Sequence, residues 1–349
     1  MKAITFQSVE RLRFETVDDP GIEQAGDVIV RVLSAGICGS DLHVYHGRET
    51  GLDAGTIMGH EFVGEVVEVA AGVELWSAGD VVVSPFTTNC GKCRQCVAGL
   101  TSRCRQGQLF GWVENGTGLH GCHAELVRVP LADSTLVRVP EGATLEAALF
   151  AGDILATGYF GAESAGVCPG CEVAVVGCGP VGLMAILSAR EFGAERVLAV
   201  DRLPERLDLA ASLGAVPVPL EGDELAALTE AAASGRGVDA VVEAVGSSTA
   251  TRLAVDLVRP GGTISAVGVH TEEHLAFSPG EAYDKNLTYR AGRCPVRHYM
   301  DRVLPLAVRK SAELTALVSH RLPLSEGIRG YDLFARRVEG CTKVVLLPG

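Results

Sequence analysis

Glu172-Val173-Ala174-Val175-Val176-Gly177-Cys178-Gly179-Pro180-Val181-Gly182 is an apolar run that stops at a glycine and opens into a helical pattern through G-x-G-x-x-G. Each glycine has a physical task in such a turn. The first permits the sharp reversal, the second lets backbone approach a pyrophosphate, and the third lets helix and strand pack closely. The phosphates would sit at the positive end of the helix. Gly177, Gly179, Pro180, Val181 and Gly182 are therefore candidate cofactor-binding residues. The bland alternative is a strand–helix turn that binds nothing. Asp201, 19 residues after Gly182, argues against it, because a carboxylate there suits the ribose hydroxyls of NAD and repels the 2′-phosphate of NADP. Arg202 and Arg206 lie beside it and are the residues that could attract such a phosphate.

Working outward, the pattern repeats. Apolar strands are expected at 172–177, 196–201, 215–218, 238–243, 262–267 and 286–291. Helices are expected between them at 181–192, 204–213, 223–233 and 249–258. Six strands alternating with helices predict a doubly wound parallel sheet, an α/β domain. Before residue 150 the texture is different. Short β-branched runs at 28–33, 62–69, 80–83, 126–129 and 135–139 are separated by glycine turns, which predicts a β-rich unit. A further helix is expected at 300–308, and a strand at 342–347 has no partner that the pattern assigns.

The whole chain has 349 residues, more than one core usually serves. Apolar residues make up 47% and charged residues 21%, which excludes a mainly disordered chain. The 30 basic and 43 acidic residues leave a net charge of −13, with no basic stripe for nucleic acid and no attraction to an anionic membrane. No uninterrupted apolar stretch reaches the roughly 18 residues of a membrane-spanning helix. The opening MKAITFQ has no apolar signal core, so a cytoplasmic location is expected.

Eleven cysteines are many for such a chain. Cys90, Cys93, Cys96 and Cys104 follow C-x2-C-x2-C-x7-C, a spacing that wraps one tetrahedral Zn²⁺. Four thiolates close the ion off, so this site would brace a lobe at about 86–110 and not catalyse. Lys92, Arg94, Arg103 and Arg105 interleave with the ligands and offset their charge. Two disulfides or an iron–sulfur cluster are the alternatives for four thiols. Cys122, Cys168, Cys171, Cys178, Cys294 and Cys341 read as ordinary core or surface cysteines.

Gly36-Ile37-Cys38-Gly39-Ser40-Asp41-Leu42-His43 offers a thiol. Gly59-His60-Glu61-Phe62-Val63-Gly64-Glu65 offers an imidazole, and Phe150-Ala151-Gly152-Asp153 offers a carboxylate. Nothing in their spacing joins the three. Together with the four-cysteine lobe and the glycine motif, however, these segments resemble the zinc-dependent medium-chain dehydrogenase/reductase family, of alcohol dehydrogenase type. The likeness runs in order along essentially the whole chain, and around the cysteine lobe it is most similar to the formaldehyde-dehydrogenase-like branch, without that branch's long insertions.

The resemblance implies a GroES-like β-rich catalytic domain over 1–153 and 295–349, and a Rossmann NAD-binding domain over 154–294, with the active site in the cleft between them. It implies two zinc ions per chain. Cys38, His60 and Asp153 match the catalytic ligands, and many relatives carry cysteine where Asp153 stands. Glu61 matches a residue that approaches the metal when substrate is absent, and Asp41 a carboxylate that orients the ligating histidine. Ser40 and His43 match a proton relay through the nicotinamide ribose. Lys343 matches a basic residue near the pyrophosphate, although a surface lysine is the bland reading. Phe86, Leu109 and Trp112 match a largely apolar substrate pocket.

The activity so implied is hydride transfer between an alcohol, or its aldehyde or ketone, and NAD(H), with zinc stabilising the alkoxide. A homodimer or homotetramer is implied as well. A sugar, polyol or natural-product dehydrogenase on the same scaffold is the nearest alternative. A non-catalytic NAD-binding protein is the alternative of another class.

Overall fold

The computed structural model describes residues 1–349. Its contacts divide the chain into two units, Met1–Asp153 with Pro295–Gly349, and Ile154–Cys294.

In the first unit, β1 (Lys2–Ser8) and β2 (Arg11–Thr16) form an antiparallel pair, turned at Glu10 with φ 58°. The spine is β3 (Val28–Ile37), ten residues long and mostly buried. β4 (Glu61–Val69) runs antiparallel along one edge of it, and β5 (Val81–Ser84) pairs with β4. β6 (Trp112–Glu114) and β7 (Thr117–Leu119) form a hairpin whose turn residues, Asn115 and Gly116, both have positive φ. That is the turn matching the twist of two strands, and Asn-Gly adopts it readily. β8 (Leu126–Val129) lies on β3 at residues 28–31, and β9 (Val137–Arg138) on β5.

The second unit holds β10 (Glu172–Val176), β11 (Arg196–Asp201), β12 (Val216–Pro219), β13 (Val238–Glu243), β14 (Val258–Ala266) and β15 (Thr288–Ala291). They form one parallel sheet in the order β12-β11-β10-β13-β14-β15. The order reverses between β10 and β13, and such a switch point is where an open α/β sheet binds ligands. Residues 173–176 are all buried, as strands covered by helices on both faces require. Pro217 and Pro219 sit on β12, an edge strand, where a missing N–H breaks no interior ladder. The helix expected at 249–258 is Ser248–Leu257, capped by the Ser247 side chain, which accepts from the Ala250 N–H at 3.2 Å.

The chain then returns to the first unit. Helix Val296–Arg309 extends the expected 300–308. β16 (His320–Pro323) pairs in parallel with β17 (Val344–Leu347), and β17 pairs antiparallel with β3 at residues 35–37. The late strand therefore does have a partner, on the half of β3 that β8 leaves open. The completed order is β16-β17-β3-β4-β5-β9, with β8 also on β3. Val30, Phe62, Val82, Val129, Tyr331 and Val344 share its core.

Candidate active site

Sheet register brings the first pieces together. Gly36 of β3 faces Glu61 of β4, so Cys38 and His60, just beyond those strand ends, meet at one edge. Gly36 itself must be glycine, because a Cβ there would run into the Glu61 carboxylate. Cys38 is the N-cap of helix Gly39–Tyr45, and Asp41 in its first turn accepts from the Cys38 N–H at 2.8 Å. The other Asp41 oxygen lies 3.1 Å from His60 Nδ1, which turns Nε2 inward. Helix Leu145–Ala151, N-capped by Thr144 and buried from Ala147 to Ala151, delivers Asp153 to the same spot.

There, Asp153 Oδ2 is 3.4 Å from Cys38 Sγ and 3.5 Å from His60 Nε2. Zinc bonds of about 2.0–2.3 Å in a tetrahedron imply donor separations of roughly 3.3–3.8 Å. Thiolate, imidazole and carboxylate are also the donor types zinc takes, so these residues fit the ion. The electrostatics agree. Burial, then Asp153 and Glu61, pushes the Cys38 thiol up to about 11. Burial opposes a charge on His60, but Asp41 and Asp153 overcome it and raise that imidazole well above its usual range. Buried anionic groups around one point call for a cation at that point.

Glu61 lies within the same donor cluster, yet its carboxylate is held by Lys343 Nζ at 2.7 and 2.6 Å. Nζ also donates to the Ile37 carbonyl at 3.1 Å. All three ammonium protons are thereby used, and Lys343 is 1% exposed. This corrects the reading of Lys343 as a surface lysine: it is a buried counter-charge beside the donors. A charged residue flanking a late strand reads as surface until its partner strand is known.

The Ser40 hydroxyl lies 3.1 Å from His60 Nε2. His43 is half-buried and its Nδ1 has no hydrogen-bond partner. Burial, then Arg48 and His46, holds its pKa below 6.5. Phe86 is buried with its ring 6.3 Å from that of His60. Leu109 is half-buried and bridges to Thr87. Trp112 is half-buried, packs against the sheet core and gives its indole N–H to Glu114 at 3.4 Å.

In the cysteine lobe the sulfurs of Cys90, Cys93, Cys96 and Cys104 also cluster. Cys93 Sγ is 3.5 Å from Cys96 Sγ and 3.9 Å from Cys104 Sγ, spacings that suit one tetrahedral ion. N–H groups of Arg105 and Cys96 lower the Cys93 thiol to about 6, while burial and Cys93 push Cys96 up to about 12.

In the second unit, Gly177 has φ +91°, and Gly179 caps helix Pro180–Glu191 with Pro180 in its first turn. A Cβ at Gly182 would collide with the Gly177 carbonyl. Asp201 ends β11 and binds the turn directly: Oδ2 accepts from Cys178 N at 2.7 Å, and Oδ1 from Arg202 N and Leu203 N at 2.7 and 3.0 Å. Arg202 is exposed, and Arg206 Nη1 stands 3.8 Å from Asp201.

Sequence reasoning missed one cluster at the same sheet end. Glu243, fully buried at the end of β13, accepts from Val245 N and Gly246 N at 2.7 and 2.8 Å, and from His270 at 2.9 Å. A glutamate closing the apolar run Val238–Glu243 was the available signal.

Comparison with known proteins gives a consistent picture. Residues 24–141 match the family described as "Alcohol dehydrogenase GroES-like domain", and residues 180–309 match "Zinc-binding dehydrogenase". Zinc-type alcohol dehydrogenase B of Aspergillus flavus is 43% identical over 100% of this chain and 82% of its own length. An uncharacterized zinc-type alcohol dehydrogenase-like protein, AdhB of Bacillus subtilis, is 36% identical over the full length of both. Among solved structures, alcohol dehydrogenase TADH from Thermus sp. ATN1 superposes with a TM-score of 0.92 at 42% identity, covering 99% of each chain.

Proposed function

The chain belongs to the zinc-binding, GroES-like alcohol dehydrogenase family, and on that premise we propose that Cys38, His60 and Asp153 hold the zinc at which it interconverts an alcohol and its carbonyl compound with NAD(H). The observation that carries this reading is the meeting of Cys38 Sγ, His60 Nε2 and Asp153 Oδ2 at tetrahedral spacing. A second zinc is assigned to Cys90, Cys93, Cys96 and Cys104. NAD is favoured over NADP by the Asp201 carboxylate at the end of β11.

When bound, zinc supplies a Lewis acid that acidifies an alcohol oxygen, and the nicotinamide supplies the hydride acceptor. The protein's own groups do the rest. Asp41 fixes the His60 ring so that Nε2 faces the donors. Ser40 Oγ, beside that nitrogen, receives the substrate hydroxyl's proton in a hydrogen bond. His43 Nδ1 is the basic atom at which the proton leaves: its lowered pKa keeps the ring neutral near pH 7, able to accept. Phe86 excludes water on the His60 side. Lys343 pairs with the Glu61 carboxylate and offsets its charge beside the donor point.

Substrate is a small alcohol. The described residues contain no helix long and apolar enough to cross a membrane, and action in the cytoplasm as a homodimer or homotetramer is part of the same proposal.

The test is Asp153→Ala. Metal should fall from two equivalents per chain to one, and NADH formation should stop while NADH fluorescence titration still reports binding. Retained turnover overturns the ligand assignment.

A further inference from the structure

Cys168-Pro169-Gly170-Cys171 lies immediately before β10. Neither metal-donor cluster includes its thiols. Cys122, Cys178, Cys294 and Cys341 are buried, whereas Cys168 is exposed and Cys171 is partly so. The four residues form a tight turn: Cys171 N–H donates to the Cys168 carbonyl at 3.1 Å, with Pro169 and Gly170 at its corners and Gly170 at φ +83°. Proline then a positive-φ glycine is the type II signature, which brings the first and fourth Cα within about 7 Å. Disulfides span Cα separations of about 4.4–6.8 Å.

The turn is also braced from outside. Gly170 N–H donates to the Gly193 carbonyl at 3.1 Å, and Glu195 N–H donates to the Cys171 carbonyl at 2.9 Å. Pro169 packs on Gly193, where a Cβ would meet the ring at 3.3 Å. Two thiols held together in advance lose little chain entropy on joining. Burial, and then the neighbouring Cys168 sulfur, raises the Cys171 thiol, so the exposed partner is the one that meets a reagent first.

We propose that Cys168 and Cys171 form a reversible dithiol–disulfide site that exchanges with low-molecular-weight disulfides. The Cys168 thiolate attacks one sulfur of the small disulfide and expels one thiol. The Cys171 thiolate, its proton given to water, attacks the Cys168 sulfur and expels the second. Two protein thiols are oxidised to one disulfide as one small disulfide is reduced to two thiols. The site sits at the amino end of β10, and the glycine turn at Gly177 at its carboxyl end, so the bridge does not depend on how cofactor binds.

The test is to incubate the zinc-replete protein with glutathione disulfide, alkylate, and map peptides. The peptide spanning 168–171 should lose two hydrogen masses and resist alkylation, with two equivalents of glutathione released per chain and full reversal by dithiothreitol. Cys171→Ser should instead trap glutathione on Cys168. Wild-type protein that keeps both thiols alkylatable, or that stops at the Cys168 adduct, overturns the proposal.

Discussion

Lys343 Nζ lies 2.7 and 2.6 Å from the two carboxylate oxygens of Glu61, and both side chains are sealed from solvent. Burial disfavours the ammonium, but Glu61 and then Cys38 outweigh it and hold Lys343 charged. Removing one partner strands the other. Lys343→Met should therefore cost about 3–5 kcal/mol of stability, read from urea unfolding, whereas Glu61→Gln with Lys343→Met should recover most of it. Equal losses in the single and double variants would show that packing, not charge pairing, matters there.

Asp41 ties two donors at once, through the Cys38 N–H and His60 Nδ1. Asp41→Asn keeps the shape but loses the charge. Affinity for the metal at the Cys38 cluster should fall about 10–100-fold in chelator competition. Metal in the four-cysteine lobe and NADH binding should be unaffected. Unchanged affinity would leave Asp41 as a helix cap alone.

His270 gives a pH dependence. Its hydrogen bond to Glu243 raises its pKa above 6.5, with burial opposing and the Glu243 charge assisting; Glu272 adds to the same effect. A raised folded pKa means stability is fully present below the unfolded value and is lost as pH rises through the folded one. Urea midpoints should thus decline from about pH 6.5 upward, with a shallow slope because water screens a partly open pair. His270→Gln should flatten that slope. A slope identical to wild type would remove His270 from the account.

Asp201 both braces the glycine turn and carries the charge that disfavours a 2′-phosphate. Asp201→Asn removes the charge and keeps one of the two oxygens that accept from the backbone N–H groups. The ratio of kcat/KM for NADP over NAD should rise by about tenfold or more, ~1.4 kcal/mol, with Arg206 at 3.8 Å available to the phosphate. An unchanged ratio would locate cofactor choice elsewhere.

What could be read from the residues divides along physical lines. The glycine motif was legible because its demands are local: a positive φ at Gly177 and no room for a side chain at Gly182. The parallel strands were legible because burial on both faces makes them continuously apolar. The donors Cys38, His60 and Asp153 were joined only through family resemblance, since what unites them is the Gly36–Glu61 register and the placing of helix Leu145–Ala151. The roles of Lys343 and Glu243 were not legible. Each depends on which strand ends lie side by side, and neither residue type is apolar enough to announce its burial.

The late arrival of β17 between β16 and β3 sets an order of events at the ribosome. The nucleotide-binding unit is one continuous stretch and has all its strands once residue 294 is made. The nascent metal-binding unit, by contrast, must wait through that whole interval with the 35–37 edge of β3 unpaired and Glu61 lacking its lysine. An unpaired apolar strand edge of that kind is open to mispairing until residues 344–347 are made and close it.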